Sequence, residues 1–277
     1  MNRKRISTVP YVIWMALFVV IPLLLIVVYA FTTKDGGFSL ENFSEMGSYI
    51  GVFVRSVVLA LTATVICLVI GYPVSYILAR ESASFQRISN MLIMLPMWIN
   101  FLLRTYAWMS ILENTGMINR FLGKIGLLAL LGVDHIQLIN TNGAVILGMV
   151  YNYLPFMILP IFSVIQKLDR SLIEAAQDLG ATGFQVFTKV IFPLSLPGVL
   201  SGITMVFVPS ISTFAISKLL GGGTSLLLGD LIEMQFLGGA YNPYLGSAIS
   251  LIMMIIVMVC MLVMNRFGEG EEEAVML

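Results

Sequence analysis

The chain has 277 residues, of which 58% are apolar and 11% charged, and its mean hydropathy is +0.96. Soluble domains carry about 25% charged residues, so a water-soluble globule is excluded; disorder is excluded as well, because it needs low hydrophobicity and high net charge. Fifteen basic residues balance fifteen acidic ones, so no net field points to nucleic acid as a partner, and the bilayer is the expected solvent.

A spanning helix needs about 20 predominantly apolar residues, and the sequence offers six such runs. The first, Val9 to Phe31, follows Arg3-Lys4-Arg5. A basic flank before an apolar run also describes a signal peptide, with Val28-Tyr29-Ala30 where cleavage would fall. The run is longer than a signal core of about 7–15 residues, and it reads as a retained anchor. The second run, Ser56 to Ala79, closes on Arg80-Glu81, and the third, Met91 to Leu112, contains Arg104. Gly126 to Val133 is apolar but too short to span, so a helix in or near the interface is expected there. The fourth, fifth and sixth runs are Gly143 to Ile165, Pro197 to Ser217 and Leu245 to Met264. Cys67 and Cys260 lie inside apolar runs and read as small buried hydrophobes rather than as a disulfide.

Basic residues set the orientation. With the N-terminus inside, the inner segments hold Arg3, Lys4, Arg5, Arg80, Arg87, Lys167, Arg170, Lys189 and Arg266, nine in all, against five outside (Lys34, Arg55, Arg120, Lys124 and Lys218). Both termini are therefore expected in the cytoplasm, with Trp98, Tyr106, Trp108, Tyr151, Tyr153 and Tyr244 supplying part of the interfacial aromatic belt. Pro22, Pro73, Pro96, Pro155, Pro160 and Pro209 fall within the spans. They read either as ordinary kinks or as the marks of discontinuous helices around a pathway.

The segment from Gln166 to Phe192 differs from its surroundings in being charged and amphipathic. Ser171-x-x-Glu174 has the spacing of a capping box. Leu172, Ala175, Ala176 and Leu179 then fall on one helical face, and Gly180 supplies a left-handed stop. A second amphipathic stretch runs from Phe184 to Pro193. The pair predicts a helix–turn–helix on the cytosolic side, whose small Ala175 and Ala176 admit close approach by another surface; an interfacial helix resting on headgroups is the other reading.

Glu174-Ala175-Ala176, three residues, Gly180, nine residues and then Val190-Ile191-Phe192-Pro193 resembles the EAA loop of ATP-binding-cassette importer permeases, with conservative departures at Val190 and Phe192. Gly71-Tyr72-Pro73, Leu95-Pro96-Met97-Trp98, Arg104-Thr105-Tyr106, Tyr153-Leu154-Pro155-Phe156, Lys167-Leu168-Asp169, Gly221-Gly222, Leu227-Leu228-Gly229 and Gln235-Phe236-Leu237 extend the likeness over nearly the whole chain. They resemble the spermidine/putrescine importer permeases, most closely the permease B type; iron, sulfate and thiamine permeases share the architecture.

That resemblance implies an all-α polytopic membrane protein, a type I importer permease with six transmembrane helices and a cytosolic EAA coupling helix carried by Glu174, Ala175, Ala176 and Gly180. It implies residues 1–54 as tail, first span and outer loop, 55–264 as the permease core, and 265–277 as an acidic cytosolic tail. The implied setting is a bacterial inner membrane. The implied partners are a second homologous permease, which the first span would wrap as a peripheral arm, cytosolic ATP-binding subunits, and an extracytoplasmic solute-binding protein. No cofactor or metal is implied.

The residues agree with that division of labour. No Gly-x-x-x-x-Gly-Lys-[Ser/Thr] occurs, so the chain has no phosphate loop of that kind, and energy must come from a partner. His135 is the sole histidine and no Gly-x-Ser-x-Gly occurs, which argues against an intramembrane hydrolase; a scaffold or receptor without flux is the other non-transport reading. A charge at a helix centre costs about 2.5–3.5 kcal/mol on insertion scales, so Arg104 reads either as a gate or pairing charge, or as a residue snorkelling to the interface. Ser210, Thr213 and Ser217 form a hydroxyl stripe if the fifth span is one helix. That stripe would line a pore or, with Gly198-x-x-x-Gly202, pack against a neighbour. A polyamine requires carboxylates and aromatic faces. Glu113, Asp230 and Glu233, with Trp98, Trp108, Tyr151 and Tyr153, are the candidates beside Arg104, although the same carboxylates also suit helix capping or docking of a binding protein.

Overall fold

A computed structural model of the chain describes residues 10–34, 36–223 and 226–275. The basic flank Arg3-Lys4-Arg5 and Val9, where the first apolar run begins, lie outside them. Among the described residues the chain is helical apart from loops and one antiparallel bridge between Thr32 and Phe38.

Helix α1 (Pro10–Ala30) contains a π turn at Ala16–Val20 just before Pro22. Its apolar side chains mostly face outward, and only its last turns, through Ile26, Val27 and Ala30, pack against Ala248 and Leu251 near the C-terminal end of the chain. A short helix, α2 (Glu41–Glu45), and a 3-10 turn lead into α3 (Ile50–Arg80), which passes through Pro73 without a break.

The third expected span is not one helix. Helix α4 (Ala83–Trp98) ends at Ile99-Asn100, and α5 (Phe101–Leu112) leaves in a new direction, so that the two arms meet at 87°. Pro96 denies the last turn of α4 a backbone donor, Ile99 and Asn100 take ψ values of 140° and 132°, and the Asn100 side chain accepts from the Leu102 amide at 2.8 Å to start the next helix. Among the described residues five helices are long and apolar enough to cross a membrane, and six when the bent pair counts as one span.

Beyond α5 come α6 (Met117–Lys124) and the short α7 (Leu127–Leu131), the latter bracketed by left-handed Gly126 and Gly132. Helix α8 (Asn142–Lys167) is continuous through Pro155 and Pro160. After α9 (Arg170–Asp178), helix α10 runs unbroken from Gly183 to Ser212. The second amphipathic stretch expected at Phe184 to Pro193 is therefore the first part of the fifth span itself, and a π turn at Phe187–Ile191 absorbs Pro193. At its other end this span stops earlier than expected. Thr213 is extended, with ψ 140°, and α11 (Ala215–Leu220) begins anew. The hydroxyl stripe is accordingly divided among α10, the break and α11. Helices α12 (Leu228–Leu237) and α13 (Pro243–Val275) complete the chain; α13 carries the acidic tail as a helical continuation.

The prolines thus divide into two kinds. Pro96 and Pro209 stand one turn before breaks, whereas Pro73, Pro155, Pro160 and Pro197 lie in continuous helices.

Helices α3, α8 and α10 form the centre, with Cys67, Met157, Ile161, Val199 and Val206 buried where they meet. The approach of α10 to α8 depends on Gly198 and Gly202. A Cβ at Gly202 would lie 2.7 Å from Met157 Sδ and 3.2 Å from its carbonyl oxygen, and one at Gly198 would lie 2.9 Å from Pro160 O. The Gly198-x-x-x-Gly202 motif is a packing seam. Gly202→Leu is therefore expected to destabilise the fold by about 1–3 kcal/mol through overpacking, read as a lower Tm of the detergent-solubilised protein. Gly51→Leu, whose Cβ would meet nothing within 4 Å, should leave Tm unchanged or slightly raised.

Candidate functional site

Two regions gather the residues singled out by sequence: the α9 turn at one end of the helix bundle, and the broken helices toward the other.

Helix α9 is fixed at both ends by local hydrogen bonds. Leu168 and Asp169 are extended, with ψ 134° and 124°, so the helix begins at Arg170, and the Asp169 carboxylate accepts from the Ser171 amide at 2.9 Å. The capping box expected at Ser171 and Glu174 does not form, because Asp169 caps as well as serine does and puts Ser171 inside the first turn. A reciprocal box forms instead one turn beyond the helix: Thr182 Oγ1 accepts from the Gln185 amide, and Gln185 Oε1 accepts from the Thr182 amide.

At the C-terminus, Gly180 takes φ +82° as its position predicts, the Gly180 amide donates to Gln177 O, and the Ala181 amide donates to Ala176 O. This is the paired arrangement of a Schellman stop. Helix α9 has no buried residue; only Ile173 and Ala176 touch the core, while Glu174 and Ala175 are exposed and Leu172 and Leu179 lie 47% and 89% open. The apolar face inferred from spacing is present but largely uncovered. Hydrogen bonds from the Ser171 amide and hydroxyl hold the Asp169 carboxyl below the usual carboxylate range.

Toward the other end, α5, α8 and the α10–α11 break converge. Trp108 and Tyr151 stack edge to face, with centroids 5.3 Å apart. The Tyr153 hydroxyl donates to Pro209 O at 3.4 Å, capping a carbonyl near the break, and Tyr153 packs against the same buried cluster as Trp108. Nε and Nη1 of Arg104 are buried without a hydrogen-bond partner, so this side chain is partly enclosed by protein rather than fully snorkelled. Trp108, Tyr151 and Tyr153 therefore gather in one region, with Arg104 one turn before Trp108 on α5.

The carboxylates do not join it as a set. Asp230 is buried, and its Oδ2 caps α12 by accepting from the Leu227 amide at 2.9 Å. Burial pushes the Asp230 carboxyl above the usual range, against the pull of the Ser217 hydroxyl and of that amide. Glu233 is held by Lys218 Nζ at 3.0 Å. Glu113, at the end of α5, lines a cavity of about 610 Å³ with Arg120 and Lys124, and Trp98 is 73% exposed at the end of α4. Sequence reasoning passed over Lys218 as a partner, and also Ser56, whose buried hydroxyl accepts from the Leu228 amide at 2.8 Å and ties α12 to α3. Neither carries a motif; only the fold brings α12 to them.

Residues 3–269 match the family model described as "Binding-protein-dependent transport system inner membrane component", and the chain belongs to this family. It is 39% identical over 246 residues to the spermidine/putrescine transport system permease protein PotB of Haemophilus influenzae, covering 86% of this chain and 84% of that protein. It is 37% identical over 261 residues to PotB of Escherichia coli K12, covering 91% and 93%. Among solved structures, a bacterial ABC transporter importing the acidic polysaccharide alginate matches with TM-score 0.76 at 20% identity, over 96% of this chain and 95% of that one. The MetNI methionine ABC transporter in an inward-facing form matches with TM-score 0.60 at 19% identity, over 82% and 97%. At these identities the structural likeness shows a shared fold.

A carboxyl whose folded pKa is depressed stabilises above its unfolded pKa, and the contribution is lost as pH falls through the folded value. Asp169→Ala is expected to speed hydrogen exchange at the first α9 amides at pH 7, after correction for intrinsic rates. The difference from the natural protein should shrink as pH falls below the ordinary carboxylate range. Asp169→Asn, which caps without ionising, should keep protection at both pH values.

Proposed function

We propose that this chain is the membrane permease subunit of a polyamine importer, moving spermidine or putrescine into the cytoplasm with energy from a separate ATPase. The observation that carries the reading is identity of 36–39% with spermidine/putrescine permeases over most of the chain, joined to an α9 helix whose apolar face is exposed while its two ends are fixed.

In this reading the α9 end of the bundle faces the cytoplasm, with both termini on that side. Residues 55–264 form the permease core, 1–54 carry a tail, a peripheral span and an outer loop, and 265–277 form a cytosolic tail. Glu174, Ala175, Ala176 and Gly180 carry coupling: the cap at Asp169 and the stop at Gly180 make α9 a rigid peg, and the small alanines let an ATP-binding subunit approach its backbone. A second homologous permease and an extracytoplasmic binding protein complete the assembly.

The pathway runs by Arg104, Trp108, Tyr151 and Tyr153 toward Glu113, Asp230, Glu233 and Trp98. Aromatic faces and carboxylates attract ammonium groups, whereas the Arg104 guanidinium repels them. Arg104 therefore serves as a charge gate, opposing idle cation passage until the helices around the break move.

The test is ATP hydrolysis by the reconstituted complex, with the binding protein carrying spermidine, putrescine or nothing. Stimulation by the polyamine-loaded protein is expected. An assembled complex that hydrolyses ATP yet ignores polyamines would discard the substrate and keep the architecture. Gly180→Pro is expected to abolish uptake and stimulated hydrolysis while membrane insertion persists, and unchanged uptake would overturn the coupling role of α9.

A further inference from the structure

We propose that the hydrogen bond between Gln86 and Gln166 is the link that carries movement of the α9 unit to the α3–α4 hairpin, and through α4 to the break beside Arg104. The proposal rests on the reading of α9 as the coupling helix.

Gln86 lies in the first turns of α4 and is 9% exposed. Its Nε2 donates to Ala79 O at 3.2 Å and to Glu81 O at 2.9 Å. Both carbonyls belong to the C-terminal end of α3, where the helix leaves its last acceptors unpaired. One side-chain amide thus binds the end of α3 to the start of α4, whose first turn is closed by the Gln86 backbone N–H donating to Ser82 O at 2.9 Å. Its remaining group, Oε1, accepts from Gln166 Nε2 at 2.7 Å.

Gln166 stands in the last turn of α8, three residues before the Asp169 cap of α9, and the intervening Leu168 is extended. A displacement of α9 therefore reaches Gln166 across a very short connection. Between α9 and the hairpin lies a cavity of about 580 Å³ lined by Arg80, Ser82 and Gln86 and by Arg170, Glu174 and Gln177, and beside it Ile173 and Ala176 of α9 share only an apolar cluster with Tyr76 and Ala79 of α3. Apolar surfaces slide past one another, whereas a short hydrogen bond to an amide already fixed by two carbonyls has a direction and a defined length.

From Gln86 the displacement has a rigid path. Helix α4 is 16 residues long, about 24 Å at 1.5 Å per residue, and it ends at Ile99-Asn100, four residues before Arg104. The hairpin end near α9 and the broken end near Arg104 are thus two ends of one lever.

The test uses the complete reconstituted transporter and the Gln166→Leu variant, which removes the link but leaves both Gln86 bonds to α3. Assembly, Tm and basal ATP hydrolysis should stay as in the natural complex. Stimulation by the spermidine-loaded binding protein and uptake should fall together by roughly five- to tenfold, the factor that a typical single hydrogen bond commands. Gln166→Lys, whose ammonium can donate to Gln86 Oε1, should restore both. Retained stimulation and uptake in Gln166→Leu, a loss accompanied by lower Tm or basal activity, or failure of Gln166→Lys to restore function would each overturn the link. If the natural complex itself shows no stimulation, the importer reading fails, and the link with it; a working natural complex with an indifferent Gln166→Leu removes the link alone.

Discussion

Within an apolar layer every backbone amide and carbonyl needs a partner from the protein, since the lipid supplies none. The continuous helices meet that demand internally, and hydroxyls reinforce it: Ser56, Thr64, Ser75 and Ser210 each donate to the carbonyl four residues earlier, and Ser75 also reaches Ile158 O on α8. At two breaks a side chain takes over part of that demand. Asn100 replaces the missing backbone acceptor at the start of α5, and the Tyr153 hydroxyl supplies a donor to Pro209 O before the break at Thr213. The polar side chains within this fold are largely the conditions under which its helices are allowed to stop.

Where the helices stop, charge and aromatic surface collect. Arg104 follows the first break by one turn, Tyr153 spans to the second, and Trp108 and Tyr151 close against each other beside them. The α11 and α12 helices bring Lys218, Glu233 and Asp230 into a second polar group, in which each carboxylate already has work within the chain. Glu233 is paired with the Lys218 amine at 3.0 Å, so its charge is already balanced within the chain.

The α9 end follows the opposite rule. There the backbone is satisfied by an Asp cap and a glycine stop while the apolar surface is left open, with Leu179 and Phe184 89% and 77% exposed. Local hydrogen bonds hold the shape of this unit without burying it. The contrast is with α8 and α10, which meet through glycines with no room for a Cβ and so hold the centre by packing rather than by local caps.

The sequence by itself determined the membrane setting, the apolar runs and the position of α9, because hydrophobic length, helical spacing and a glycine that must take positive φ are local properties. It also marked Arg104, Trp108, Tyr151 and Tyr153, since polar and aromatic residues in an apolar run are conspicuous. Three things were decided only by tertiary structure. Whether a proline kinks or breaks its helix depended on what stood nearby to cover the freed groups: Pro96 and Pro209 precede breaks, while Pro155 does not. Which residue capped α9 depended on where the chain leaving α8 turned, and that favoured Asp169 over Ser171. The roles of Asp230, Glu233, Ser56 and Gln86 depended on partners 3 to 172 residues away in the chain. The distant pairings have no periodicity to betray them, because they exist only once separate helices have packed side by side.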